Sequence, residues 1–300
     1  MAVLERSYKR FQGPLSPEWS RFLILPRHAY RDVFRSKLFT TFFVVCFLPL
    51  LVETILIYLH HNTEALGILK VQVRNLLPID ATFFEAFVDI QGGFAFLITV
   101  LVGPPLVARD LRNNALPLYL CRPFSRTEYV VGKMSIVLIL LSAITWVPGV
   151  LLFLFQSYLE GFSWFTDNIS LASAIFLSSL MWILVLALLS QTISALVKWR
   201  VAASAALIGL YLIPSGFAEI VNEIFGTRWG HILSIEALRK NITSGLFGTL
   251  VIASGTDLDG RGRLIANEPP SWVSWFVLFL ICAICLAVLS RCVKAYEVVK

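Results

Sequence analysis

Long apolar runs separated by polar segments dominate the hydrophobic pattern of this chain. A helix needs about 20 apolar residues to cross a bilayer, and six stretches reach that length. They lack the alternation typical of strands in a membrane barrel, and backbone groups in lipid must be hydrogen bonded within their own segment. The pattern therefore predicts six membrane-spanning helices. They are placed at Leu38–Leu59, Ala86–Ala108, Met134–Phe155, Leu171–Val197, Val201–Val221 and Trp272–Ser290.

The composition agrees with an all-α integral membrane protein. Hydrophobic residues make up 57% of the chain and charged residues 15%, and the mean hydropathy is +0.77. These values are typical of a multi-span membrane protein and exclude an ordinary soluble domain. We expect a leader at 1–37 and a single six-helix membrane domain at 38–300. Two long polar connections interrupt that domain, at 109–133 and 222–271.

The basic residues are distributed unequally between the two sides of the predicted bundle. Eighteen of the 25 Lys and Arg residues fall in the leader, the second and fourth loops and the tail, and seven fall on the other side. Loops rich in Lys and Arg stay in the cytoplasm. The charges therefore predict that both termini and segment 109–133 are cytoplasmic, and that loop 222–271 is external.

The end of the leader has the pattern of an amphipathic helix. Arg27, Arg31 and Arg35 recur every four residues on one face, while Tyr30 and Val33 lie on another. This pattern favours a helix lying in the headgroup layer with its cations on lipid phosphates. An ordinary basic flank of the first span is the alternative.

The polar segment Arg109–Lys133 is the most unusual stretch, because 25 residues with many charges lie between two apolar spans. A short helix-compatible run comes first, and a turn at Arg122–Pro123 follows. Ser125 and Glu128 then form a capping box that begins a new helix. The pattern predicts a rigid elbow carrying a short exposed helix, which is a shape that fits a groove on a partner protein.

This polar segment resembles the cytoplasmic segment between the second and third spans of type-2 ABC exporter permeases. The chain departs from that family at Asn114 and Ala115, where Gly-Thr is usual, and at Pro117, where an acidic residue is common. The leader helix, the six spans and the long loop before the last span also agree with the family. The matching positions are Asp110, Arg112, Leu116, Leu120, Arg122, Pro123, Ser125, Arg126, Gly132 and Lys133.

The resemblance implies a transport subunit of a bacterial inner membrane rather than an enzyme. Two copies of an ABC ATPase subunit would dock on the cytoplasmic segment, and a second permease copy, identical or paralogous, would complete the pathway. ATP and magnesium would be bound by the ATPase, because this sequence contains no GxxxxGK[ST] loop and needs no cofactor of its own. No nucleic-acid partner is expected. In the family, the region before the last span forms re-entrant helices, and an external cap is the alternative. The implied ATPase-coupling residues are Asp110, Arg112, Leu116, Leu120, Arg122, Pro123 and Arg126.

Two polar residues inside the predicted spans are candidates for the translocation pathway. Glu53 lies in the first span, where an ionisable group is costly and usually faces a bundle interior. It either lines the pathway, pairs across a dimer, or reaches the outer membrane surface. Gln191 in the fourth span is expected to form an interhelical hydrogen bond in preference to a substrate contact. Glu53 also keeps open the alternative of an ion-coupled secondary transporter, although no internal repeat supports that class.

Acidic and histidine residues near the external loops suggest weaker hypotheses. Glu85 and Asp89 lie four residues apart at the start of the second span, and a solvated helix start is favoured over a cation site. His60 and His61, with Glu64 nearby, form a metal-site hypothesis that is disfavoured because adjacent side chains on a helix point in different directions.

Overall fold

The computed structural model describes residues 24–62, 78–113, 126–197, 199–249 and 269–292, and this described part is helical with no strand. The helices are α1 Ile24–Val33, α2 Lys37–Val45, α3 Leu48–His61, α4 Ala81–Arg112, α5 Arg126–Ile144, α6 Trp146–Glu160, α7 Phe162–Asp167, α8 Ile169–Leu196, α9 Arg200–Phe225, α10 Ile235–Phe247 and α11 Ser271–Cys292. A 3₁₀ helix, Trp229–Leu233, lies between α9 and α10.

Within the described residues, the prediction of an all-α fold with six segments able to span a membrane by length and composition is confirmed. Six helical segments are long and apolar enough to cross a membrane, and each contains or closely matches one predicted span. They are Lys37–His61, Ala81–Ala108, Glu128–Glu160, Ile169–Leu196, Arg200–Phe225 and Ser271–Cys292. Polar segment 109–133 joins the second span to the third. We call that end of the bundle the polar-segment end and the other the far end.

The fourth span, α8, forms the centre of the bundle. In its most apolar window 67% of the residues are buried, against 17% in the first and fifth spans and 22% in the sixth. α8 packs against α4, α5, α6, α9, α10 and α11. Small hydroxyl side chains such as Ser178, Ser190 and Ser194 are fully buried along it, and small residues allow membrane helices to approach closely. The outer spans leave broad apolar faces that suit contact with lipid.

Two of the predicted spans are interrupted in the structure. The first divides at Cys46–Phe47, between α2 and α3, and the third divides at Thr145, between α5 and α6. Proline explains both positions, because Pro49 and Pro148 lack the N–H that would bond the carbonyl group four residues earlier. Side chains also donate to other carbonyl groups beside these breaks, and the Leu141 oxygen accepts from the Thr145 N–H as well. The Gln91 amide donates to the Cys46 oxygen at 3.0 Å, and the Thr145 hydroxyl donates to the Leu141 oxygen at 2.8 Å.

We expect the packing of α6 against α8 to be intolerant of a single added methyl group. A Cβ atom at Gly149 would lie 2.6 Å from Cγ2 of Ile175 and 3.3 Å from Cε1 of Phe87, whereas a Cβ atom at Gly93 meets nothing within 4 Å. Gly149→Ala should therefore lower the free energy of unfolding by about 1–3 kcal/mol. Gly93→Ala should be neutral or stabilising by up to about 1 kcal/mol, because alanine favours helix. Unfolding of both purified variants in the same detergent tests this, and equal stabilities would contradict it.

Candidate coupling site and its polar neighbours

The two ends of the polar segment are joined by a partly buried ion pair. Asp110 lies in the last turn of α4, and Lys133 lies in the second turn of α5. Nζ of Lys133 is 2.9 Å from Oδ2 of Asp110, and the two side chains are only 11% and 13% exposed. The hydroxyl of Tyr129 donates to the same carboxylate oxygen at 2.8 Å. This Asp110–Lys133–Tyr129 cluster holds the start of the segment against its end.

The predicted ATPase-coupling residues are described only in part. Asp110 lies in the cluster above, and Arg112 is exposed at the end of α4. Arg126 is the first residue of α5. The remaining predicted coupling residues, Leu116, Leu120, Arg122 and Pro123, lie outside the described residues.

Helix α1 packs on the same end of the bundle. Tyr30 and Val33 pack against the main hydrophobic core, and the Tyr30 hydroxyl donates to the Ile136 carbonyl oxygen of α5 at 3.0 Å. Burial raises the pKa of Tyr30 to about 12, so this hydroxyl remains a donor at neutral pH. The three predicted interfacial cations are exposed, Arg27 and Arg31 within α1 and Arg35 two residues after its end. The helix therefore has the two faces that its sequence pattern predicts.

Ser194 of α8 inserts into the hydrogen-bond ladder of α4 at a double proline. Pro104 and Pro105 lie inside α4. The Ser194 hydroxyl donates to the Pro104 oxygen at 2.5 Å and accepts from the N–H of Ala108 at 2.7 Å, so it bridges an i to i+4 pair. Ser204 of α9 donates at 3.1 Å to the Val100 oxygen, the carbonyl that Pro104 leaves without its helical partner. Spans two, four and five are thus linked within about three turns before Asp110.

At the far end, an ion pair fixes α10 to the second span. Nη1 of Arg239 donates to Oδ1 of Asp89 at 2.8 Å, and the arginine side chain is only 4% exposed. Its guanidinium carbon lies 5.4 Å from the ring centre of Trp182, and the Trp182 N–H donates to the Gly92 oxygen at 3.0 Å. A Cβ atom at Gly92 would lie 2.9 Å from Nη1 of Arg239, so a larger residue there would displace the guanidinium.

Glu85 reinforces the same contact. Its two carboxylate oxygens accept hydrogen bonds from the hydroxyls of Ser244 and Thr249. The expectation that Glu85 and Asp89 form a solvated helix start is therefore wrong, because both bind α10 or the residues just after it. Sequence reasoning missed Arg239, and the available signal was a basic residue between short apolar runs in loop 222–271.

Local capping explains why α10 forms inside that loop. The Ser234 hydroxyl accepts from the N–H of Ala237, and Glu236 lies in the first turn. Gly248 ends the helix with a φ of +71°, which glycine adopts without strain. With 13 residues α10 is too short to cross a bilayer, and it packs against α4, α8 and α11.

The two predicted pathway residues are both buried. Glu53 is 7% exposed, and its Oε2 atom has no hydrogen-bond partner within the described part of the chain. Gln191 is fully buried, and neither of its amide atoms has a partner there. The interhelical hydrogen bond predicted for Gln191 is thus absent among the described residues.

The histidine pair shows a different arrangement from a metal site. Nε2 of His61 lies 3.2 Å from Oε1 of Glu160 at the far ends of α3 and α6. Glu64 lies outside the described residues. Within the described ranges, no three His, Cys, Asp or Glu side chains are arranged to hold a metal ion.

Comparison with known proteins adds no assignment to this geometry. No protein-family model matches the sequence, and no curated protein matches it. Three features of the molecule bear on function: the six-span bundle, the polar segment whose ends are joined by the Asp110–Lys133 ion pair, and the buried polar groups. Of these, the polar segment has the most specific chemistry. The partly buried ion pair of Asp110 with Lys133 joins its two ends, and Arg112 beside that pair is exposed.

Proposed function

We propose that this chain is the membrane-spanning permease subunit of an ABC exporter. The observation that carries the proposal is the ion pair between Asp110 and Lys133, which closes a 25-residue polar segment at one end of a six-helix bundle. A segment held at both ends moves with spans two and three as one body. Such a segment can transmit the motion of a bound partner into the membrane.

In this proposal the polar-segment end faces the cytoplasm of a bacterium, across its inner membrane. The unequal distribution of Lys and Arg supports that orientation. Two ATPase subunits would bind ATP and magnesium and dock on the polar segments of two permease copies. The chain itself would be a transport subunit and not an enzyme. Exposed Arg27, Arg31 and Arg35 would place α1 in the headgroup layer.

Helix α10 supports the proposal at the far end. Asp89 lies eight residues into α4, so its bond with Arg239 is about 12 Å along the helix from its far end. In the proposed permease, α10 is a re-entrant segment that enters the bundle from outside. It would close the pathway beside spans two, four and six.

The test is affinity purification of the full-length protein in mild detergent, followed by mass spectrometry of stoichiometric partners. We expect a P-loop ATPase to co-purify. Arg112→Ala should reduce the amount of retained ATPase at least about tenfold, because exposed arginines are frequent binding hot spots and tenfold corresponds to 1.4 kcal/mol. Arg200→Ala is the matched control, since Arg200 is exposed at the same end but lies outside the polar segment.

The outcome that opposes the proposal is equally specific. A chain that purifies alone while folded, or that retains its ATPase equally in both variants, contradicts docking at this segment. In that case an ion-coupled secondary transporter becomes the better candidate. The specific observation favouring that class is the buried carboxyl of Glu53, and transport driven by an ion gradient in ATP-free vesicles would establish it.

A further inference from the structure

Glu53 is buried in the middle of a membrane span without a visible counter-charge. Its side chain is 7% exposed and its Oε2 atom has no hydrogen-bond partner among the described residues. The residues buried at this level include Ile57 of the same helix and Phe84 and Phe87 of α4. An ionised carboxylate in such apolar surroundings is very costly, and carboxyl groups respond by taking up a proton.

The contact between α3 and α6 determines what faces Glu53. Both helices run from the polar-segment end to the far end, and His61 contacts Glu160 at their last residues. Residues four apart lie on one face of a helix. One face of α3 carries Glu53, Ile57 and His61. It therefore meets the face of α6 that carries Leu152, Gln156 and Glu160. Ile57 and Leu152 indeed belong to one buried cluster.

Gln156 lies on that facing stripe, about one turn from the level of Glu53, or about 6 Å along the axis. It is 1% exposed, and its Oε1 atom has no hydrogen-bond partner within the described ranges. Two buried acceptors without partners thus lie on facing stripes, about one turn apart. An unpaired buried acceptor is destabilising, because it loses its hydrogen bonds to water without gaining another partner. A proton on Glu53 converts one acceptor into a donor and satisfies both groups.

The charged groups of the surrounding helices do not offer another solution. Glu160 is the only charged residue of α6, and it contacts His61. On the far half of α4, Glu85 and Asp89 bind α10 or the residues just after it. α8 contains no charged residue at all. Within the described structure, the cation that would neutralise Glu53 is therefore not supplied by these neighbours.

We propose that Glu53 is an intramembrane proton-binding site whose carboxylic acid donates to the amide oxygen of Gln156. The step forms one O–H bond on the carboxylate and consumes one proton from solution. His61 and Glu160 stand at the exposed end of the same stripe, with side chains 19% and 41% exposed. They give the site access to the far side of the membrane, about 12 Å from Glu53 along α3.

The test is infrared difference spectroscopy of the full-length protein in lipid nanodiscs, between about pH 5 and about pH 10, which brackets the titration of buried carboxyls. We expect a protonated-carboxyl C=O band at neutral pH. Glu53→Gln should abolish this band, and Gln156→Leu should shift its frequency without removing it, because the hydrogen bond is lost. Glu219→Gln is the matched control, because its carboxyl lies on α9 with a side chain 76% exposed, and it should leave the band unchanged.

Two results would overturn the site. One is a band that persists in Glu53→Gln, and the other is the absence of any such band at neutral pH in the wild-type protein. Glu53→Asp covers the case in which the glutamine variant fails to fold, because it retains a carboxyl whose band should reappear at a shifted frequency. An aspartate variant without a band at neutral pH would also contradict the proposal. The measurement uses the permease without an ATPase, so its result does not depend on the proposed exporter function.

Discussion

Replacing Lys133 with Met is expected to destabilise the protein by about 3–5 kcal/mol. The substitution leaves the carboxylate of Asp110 without its cation, and removing one partner of a buried ion pair leaves a charge that the protein cannot solvate. Asp110 is 13% exposed in this position. The measurement is the free energy of unfolding of the purified full-length protein, by denaturant in a fixed detergent.

Graded variants separate the ion pair from general damage to the packing. Tyr129→Phe removes only the hydroxyl that donates to Asp110, and it should cost about 1 kcal/mol. The double variant Asp110→Leu with Lys133→Met removes both charges and should recover most of the stability. The single variants Asp110→Leu and Lys133→Met are measured as well. If the double variant loses as much stability as the two single variants together, the ion pair does not account for the effect.

The Asp110→Leu, Lys133→Met double variant also tests whether the ion pair transmits motion between the polar segment and the membrane spans. If the ion pair holds the polar segment as one body, the double variant should fold yet transmit motion poorly, because an apolar contact does not specify the angle between α4 and α5 as a directional bond does. In the proposed exporter, the expected result is an ATPase subunit that still binds but whose hydrolysis no longer responds to this chain. An equally responsive ATPase would restrict the ion pair to a structural role.

Replacing Arg239 with Met is expected to detach α10 from the bundle. The arginine contacts Asp89 and the face of Trp182, and it is nearly completely buried. The loss leaves Asp89 unpaired and should cost about 3–5 kcal/mol locally. Hydrogen exchange of the α10 amides, followed by mass spectrometry, reports this opening directly. We expect their protection to fall by at least about a hundredfold, which corresponds to about 2.8 kcal/mol.

The adjacent residue provides the control. Lys240 pairs with Glu236 one turn earlier, but its side chain is 54% exposed. Lys240→Met should therefore change the stability of α10 by only about 0.3–0.5 kcal/mol. Asp89→Asn should reproduce most of the Arg239→Met effect. Unchanged protection in both Arg239→Met and Asp89→Asn would show that apolar packing alone holds α10.

Hydrophobic runs allowed the spans to be predicted closely, because the bilayer imposes a length and a composition on any helix that crosses it. The division of the first span at Cys46–Phe47 was not predicted, although Pro49 was visible in the sequence. Proline is tolerated within membrane helices when neighbouring groups satisfy the freed carbonyls. Whether a helix bends or breaks at a proline therefore depends on neighbours such as Gln91, 45 residues away.

The contact of Arg239 with Asp89 and Trp182 at the far end could not be predicted for the same reason. Asp89 and Arg239 lie 150 residues apart, and each had a plausible local interpretation as a helix start or a loop cation. Only folding brings them within hydrogen-bond distance over Trp182. The local hydrophobic pattern determines which residues become buried. Which polar residue pairs with which other depends on the helix faces that pack together in the fold.

By itself, the sequence determined the membrane class, the six spans, the two faces of α1 and the presence of a charged segment between spans two and three. These follow from local periodicity and from the cost of placing charge in lipid. Only the tertiary structure decided that Asp110 pairs with Lys133, that α10 is bound by Glu85 and Asp89, and that Glu53 and Gln156 are both buried. Those features depend on distances between remote helices, because hydrogen bonds and ion pairs act only over a few ångströms.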